Sequence, residues 1–123
     1  MPFTIAVVED ETSILNMYKM RLEMSGFRVI TANNGLEGLK LVITELPDLV
    51  LLDIKMPIMS GDEMLKQLRT SNVGANIRIF ILTNISRDEA PRSLQMLNVE
   101  RYIVKAHHTP SQIVEMIRET LGN

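Results

Sequence analysis

Three carboxylates, a lysine and a threonine each stand directly after a hydrophobic run in this 123-residue chain. Glu9-Asp10 follow Phe3-Thr4-Ile5-Ala6-Val7-Val8, and Asp53 follows Leu49-Val50-Leu51-Leu52. Lys105 follows Tyr102-Ile103-Val104, and Thr83 closes Ile77-Arg78-Ile79-Phe80-Ile81-Leu82. If these runs are parallel strands, their carboxyl ends meet at one edge, where open α/β sheets bind ligands. The gathered set offers oxygen ligands to a hard divalent cation. Beside them, an ammonium and a hydroxyl suit a phosphoryl group.

Each residue also has an ordinary reading. Glu9 and Asp10 crowd like charges together. A magnesium ion would resolve that, but so would a solvated helix N-terminus, where carboxylates favour the macrodipole. Asp53 is a common turn residue, and Lys105 is either a surface lysine or a point charge reaching toward Asp53. Thr83 either ends a strand or donates its hydroxyl to a phosphoryl oxygen. Tyr102 reads as a half-buried aromatic whose hydroxyl reaches solvent. Taken together, at the ends of the first, third, fourth and fifth strands, they point to a single site.

The elements that must position them alternate in period. Strands are predicted over 3–8, 27–32, 49–52, 77–82 and 101–104. The all-apolar third strand suits a centre covered on both faces. A first helix over about 12–25 carries Ile14, Leu15, Tyr18 and Leu22 inward and ends at Gly26. A second runs from Asn34 to the stop at Pro47, with Leu36, Leu39, Ile43 and Leu46 on one face. A third begins at Ser60, whose spacing to Glu63 is that of a capping box, and turns Met64, Leu65 and Leu68 inward. A fourth starts near Asp88, with Pro91 in its first turn. A fifth opens on Thr109-Pro110-Ser111-Gln112, a capping box with proline at the first helical position. Its inward residues are Ile113, Val114, Ile117 and Leu121. Right-handed crossovers would join five βα units.

Composition narrows the classes. The length suits one domain over 1–123, and 46% hydrophobic residues can fill one core. A net charge of −2 without a basic block offers nothing to nucleic acid. The absence of cysteine excludes disulfides and thiolate metal sites. No apolar run approaches the roughly 18 residues of a membrane span, and no signal peptide is visible. A cytoplasmic location is expected. The nine methionines read as adaptable core filling.

The chain resembles the receiver domains of two-component response regulators along essentially its whole length. The resemblance rests on Glu9-Asp10, on Asp53-Ile54-Lys55-Met56-Pro57 with Gly61 beyond it, on Leu82-Thr83, and on Tyr102-Ile103-Val104-Lys105. It implies a doubly wound α/β fold with strand order 2-1-3-4-5 and five helices on two faces. It makes Asp53 a phosphoacceptor supplied by a histidine kinase or phosphotransfer protein. Asp10, Asp53 and the backbone carbonyl of Lys55 would bind Mg²⁺, with Glu9 acting through water. Lys105 would neutralise the phosphoryl oxygens. Thr83 and Tyr102 would be the switch pair that reshapes the face of the fourth helix, fifth strand and fifth helix. The target would be a downstream protein or an output domain outside this chain, and family members dimerise through that same face. Such a protein catalyses only its own phosphorylation and dephosphorylation.

Some positions depart from the family pattern. The acidic pair is Glu-Asp, a common variant of Asp-Asp. Ala106 stands where a proline is usual, which removes the ordinary reason for a cis bond after Lys105. Asn84 replaces a small residue and would narrow access to Asp53. His107-His108 lack a third ligand and read as a polar loop. Ile85 offers no group to orient water, so slow loss of the phosphoryl group is expected. A receiver-fold interaction module that is not phosphorylated is the principal alternative. A magnesium-dependent aspartate phosphatase fits less well, because Lys55 stands where such enzymes carry a second acid. A flavodoxin-type flavin binder lacks a glycine in the acidic loop Glu9-Asp10-Glu11-Thr12.

Overall fold

The computed structural model describes residues 2–122. Strands β1 (Thr4–Val8), β2 (Arg28–Ala32), β3 (Leu49–Leu52), β4 (Arg78–Thr83) and β5 (Arg101–Val104) form one sheet. Its order is β2-β1-β3-β4-β5, and every pairing is parallel. Across its centre Val8 pairs with Leu52, Leu52 with Ile81, and Thr83 with Val104. The carboxyl ends of the strands therefore share one edge. β3 is buried at every position, as its unbroken apolar run predicts.

Helices α1 (Thr12–Met24) and α4 (Pro110–Leu121) cover one face, and α2 (Gly35–Glu45) and α3 (Gly61–Thr70) cover the other. The strands alternate between two cores. Ile5, Val7, Leu49, Leu51 and Phe80 meet Tyr18, Leu22, Ile113 and Ile117. Ala6, Val8, Val50 and Leu52 meet Leu39, Val42, Met64, Leu65 and Leu68. The Thr109 hydroxyl and the Gln112 side chain complete the predicted capping box, with Pro110 opening α4. Ser60 caps α3 through Glu63 N at 3.4 Å, half of the box expected there. The peptide bond between Lys105 and Ala106 is trans.

Two expectations about the fold need correction. Among the described residues there are four α-helices, where five were expected. In place of a fourth helix near Asp88 the chain makes two 3₁₀ turns, Arg87–Glu89 and Arg92–Met96. Pro91 is the cause. The residue before a proline is pushed out of the helical region, and Ala90 is extended at φ −68, ψ 149. The two turns cannot fuse across it. Arg69, near the end of α3, ties this segment down. Its guanidinium donates to Leu97 O, Asn98 O, Gly74 O, Ala75 O and Ile77 O at 2.8–3.2 Å. Burial lowers its pKa.

Leu39 is buried as expected, but Ile43 on α2 and Leu46 at its C-cap are exposed, and Val42 is buried in their place. The helix approaches the sheet through Gly38, where a Cβ would lie 2.8 Å from Val8 Cγ1. At about 100° per residue, that close line turns Ile43 outward. Most of the described methionines fill or flank the two cores: Met17 and Met116 pack against one, Met56, Met59 and Met64 against the other. Met64 is fully buried, whereas Met20, Met24 and Met96 stand in solvent.

Candidate functional site

The exits of β1 and β3 are fixed by main-chain bonds. Glu9 N donates to Ala32 O and Asp53 N to Val8 O, both at 3.1 Å. Gly61 N then donates to Ile54 O at 2.8 Å. A Cβ on Gly61 would lie 2.0 Å from Asp53 O, so only glycine lets α3 begin so close to Asp53. These constraints leave Glu9 4%, Asp53 9% and Thr83 1% exposed, while Asp10 faces solvent. One carboxylate oxygen each from Glu9, Asp10 and Asp53 lies within 4.8 Å of the others.

Lys105 joins this cluster from the end of β5. Its Nζ donates to Asp53 Oδ2 at 3.2 Å and to Glu9 Oε1 in a shorter bond. The remaining oxygens are also held. Asp53 Oδ1 accepts from Ile54 N at 2.7 Å, and Glu9 Oε2 accepts from Glu11 N at 3.1 Å. Burial raises the pKa of Glu9 against the lowering effect of Lys105. Burial pulls Lys105 down, but its bond to Glu9 and the charges of Asp53 and Glu9 outweigh this, so its pKa is raised.

The expected pairing of Lys105 with Asp53 is present, and the pairing with Glu9 is an addition. It had no signal in the sequence beyond both residues ending strands. Tyr18 is a second neighbour that sequence reasoning placed only in the core. It lines a small cavity with Glu9, Asp53 and Leu82, and burial raises its pKa. Lys55 lines a groove that opens on Asp10, with Met56 and Ile85. Asn84 is exposed. His107 ends the turn that Lys105 begins, and His108 follows it.

Thr83 and Tyr102 are linked through Ile85. Thr83 Oγ1 accepts from Ile85 N at 3.4 Å, and the Tyr102 hydroxyl donates to Ile85 O at 2.7 Å. The Tyr102 hydroxyl therefore has a partner in the protein, where a solvent contact was expected. Arg87 lies over the Tyr102 ring, 5.8 Å from its centre, and donates to Tyr102 O at 3.3 Å.

This arrangement can do specific chemistry. The close carboxylates fit a small hard cation, which takes one or two such ligands plus phosphate and water. The ammonium can balance charge on a group attached to Asp53. No helix among the described residues is long and apolar enough to cross a membrane.

Known proteins share both the sequence and the fold. The polar-differentiation response regulator DivK of Brucella anthropi is 31% identical over 123 residues, covering 100% of this chain and 99% of DivK. The phosphate regulon transcriptional regulatory protein PhoB of Pseudomonas aeruginosa is 32% identical over 120 residues, 96% of this chain and 51% of PhoB. The chain thus spans about half the length of that larger relative. A CheY-like receiver domain protein from Methanospirillum hungatei superposes with a TM-score of 0.89 at 30% identity, covering 99% of this chain and 95% of that one. The family model of the response regulator receiver domain matches residues 5–118, from β1 into the last turns of α4. On that match, the chain belongs to the receiver domain family of response regulators, the signalling modules of two-component systems.

Proposed function

We propose that the protein is a phosphorylation-dependent switch with Asp53 as its phosphoacceptor. The observation that carries this reading is Lys105 Nζ held between Glu9 and Asp53, with Asp10 completing the acidic cluster. An oxygen of Asp53 attacks the phosphorus of a phosphohistidine on a histidine kinase or phosphotransfer protein. The P–N bond breaks, the imidazole leaves with its electron pair, and an acyl phosphate remains on Asp53. Asp10, Asp53 and the backbone carbonyl of Lys55 would hold Mg²⁺ directly, and Glu9 through water. Bound Mg²⁺ would neutralise charge that builds on the phosphoryl oxygens.

The chain's own groups do the rest. Ile54 N orients Asp53 through Oδ1. Lys105 shifts its bond from Asp53 Oδ2 to the phosphoryl oxygens. Thr83 turns its hydroxyl from Ile85 N to the same group, which frees Ile85 and loosens the hold of its carbonyl on Tyr102. The changed surface is the 3₁₀ segment with β5 and α4, read by a protein target or an output domain. A dimer through this face would form without a helix in the 3₁₀ segment. A cytoplasmic location fits a kinase donor.

Incubation with acetyl phosphate and Mg²⁺, followed by intact mass measurement, tests this reading. One phosphoryl group should add to the parent, and none to Asp53→Asn or to the parent without magnesium. A folded parent that takes no phosphoryl group and binds no beryllofluoride would instead be a receiver-fold interaction module.

A further inference from the structure

Ile58 carries the most improbable backbone conformation in the described chain. Its φ is +71, and Met59 N donates to Pro57 O at 2.7 Å. A bond from residue i+2 back to residue i around a positive φ is the rare, strained form of the γ-turn. A β-branched residue is the least suited to it. Nothing inside the protein rewards the side chain for being there. Met56 and Met59 pack against the core, whereas Ile58 is 78% exposed.

The surroundings hold the strain in place. Gly35 N donates to Met59 O at 3.0 Å, and a Cβ on Gly35 would lie 2.3 Å from that oxygen. At the other end of the loop, Gly61 N fixes Ile54 O. Strain that a fold over-determines in this way clusters where a ligand is clamped. Here the loop is the one that leaves Asp53. Met56 and Ser60, on either side of Ile58, line the groove that opens on Asp10 and Lys55.

We propose that Ile58 is an anchor for the protein that donates the phosphoryl group, seated in an apolar recess beside that partner's phosphohistidine. The occupant is a donor rather than a target, because the anchor stands on the acceptor's own loop, which leaves β3 directly after Asp53. A small phosphodonor gains nothing from an apolar side chain outside the cluster. A protein donor buries it at each encounter. The acidic Asp62 and Glu89 across the same groove favour a partner with basic residues around that recess. This inference rests on Asp53 being the acceptor.

Two variants test it, Ile58→Gly and Ile58→Asn, since both residue types tolerate positive φ and both remove the anchor. The Ile58→Gly protein should melt about 4 °C higher, as the strain is released. Phosphorylation is then timed with acetyl phosphate and with a set of purified, phosphorylated histidine phosphotransfer proteins, using the fastest for the parent. In both variants the ratio of the protein-donor rate to the acetyl phosphate rate should fall at least roughly tenfold. An unchanged ratio overturns the proposal. So does an unchanged melting point, or a parent that accepts from acetyl phosphate but from no protein donor. A parent that accepts from neither indicts the acceptor assignment instead.

Discussion

Lys105 Nζ stands 3.2 Å from Asp53 Oδ2 although 52 positions separate the two residues in the chain. The same nitrogen bonds Glu9, so one ammonium compensates two largely buried carboxylates. Removing it leaves like charges facing each other in a poorly solvated edge. Without metal, Lys105→Met should lose about 3 kcal/mol of stability. Magnesium should restore more stability to the variant than it adds to the parent, because it no longer competes with an ammonium. Thermal melts across a magnesium titration check this; an equal gain in both proteins would contradict it.

The site also sets a pH dependence in the metal-free protein. Burial raises Glu9 above its ordinary 4.5, so the folded state keeps a proton that the unfolded chain has released. Its stabilising contribution is full below 4.5 and is lost as pH rises through the raised folded value. Lys105, raised above 10.5, contributes fully below that value and loses the contribution as pH rises through its own folded value. Glu9→Gln should remove the acidic slope. It should also bring the alkaline loss to lower pH, since Asp53 alone then holds the ammonium. Denaturant midpoints for parent and variant across about pH 4 to 11 give the difference.

Arg69 should matter as much as a core residue. Its fork serves carbonyls of the 74–77 loop and of the 97–98 turn at once. A lysine cannot reproduce that geometry. Arg69→Lys should cost about 2 kcal/mol and Arg69→Ala about 3 kcal/mol. Urea midpoints test the ranking. Faster amide exchange confined to residues 74–77 and 92–98 would locate the effect.

Phosphorylated Asp53 should be long-lived. Ile85 lines the groove beside the cluster and brings no polar atom on its side chain to orient water. A chase after removal of acetyl phosphate should show loss over minutes to hours, and Ile85→Gln should accelerate it at least roughly tenfold. A half-life of seconds in the parent would refute this.

The sheet and its reactive edge were legible because each strand is an apolar run that stops at a polar residue. Asp53, Lys105 and the Glu9-Asp10 pair could be placed together from those run ends alone. Helix caps at Ser60 and Thr109 were equally readable, since their side chains act within three residues. The rest depended on contacts or dihedrals that leave no local trace. Pro91 is compatible with a first helical turn, so a helix was expected where Ala90 is extended. Gly38 contributes no hydrophobic signal, yet it marks the closest approach of α2 and turns Ile43 out. Nothing in the sequence around Arg69 or Ile58 signals the carbonyl fork of the one or the positive φ of the other.

The two short turns between β4 and β5 bear on what a partner could grip at that edge of the protein. Helices are gripped by ridges that interlock with a partner's grooves. Turns of three and five residues, broken at Pro91, offer no such row. A partner shaped to grip a helix at this position would find no such row to mesh with.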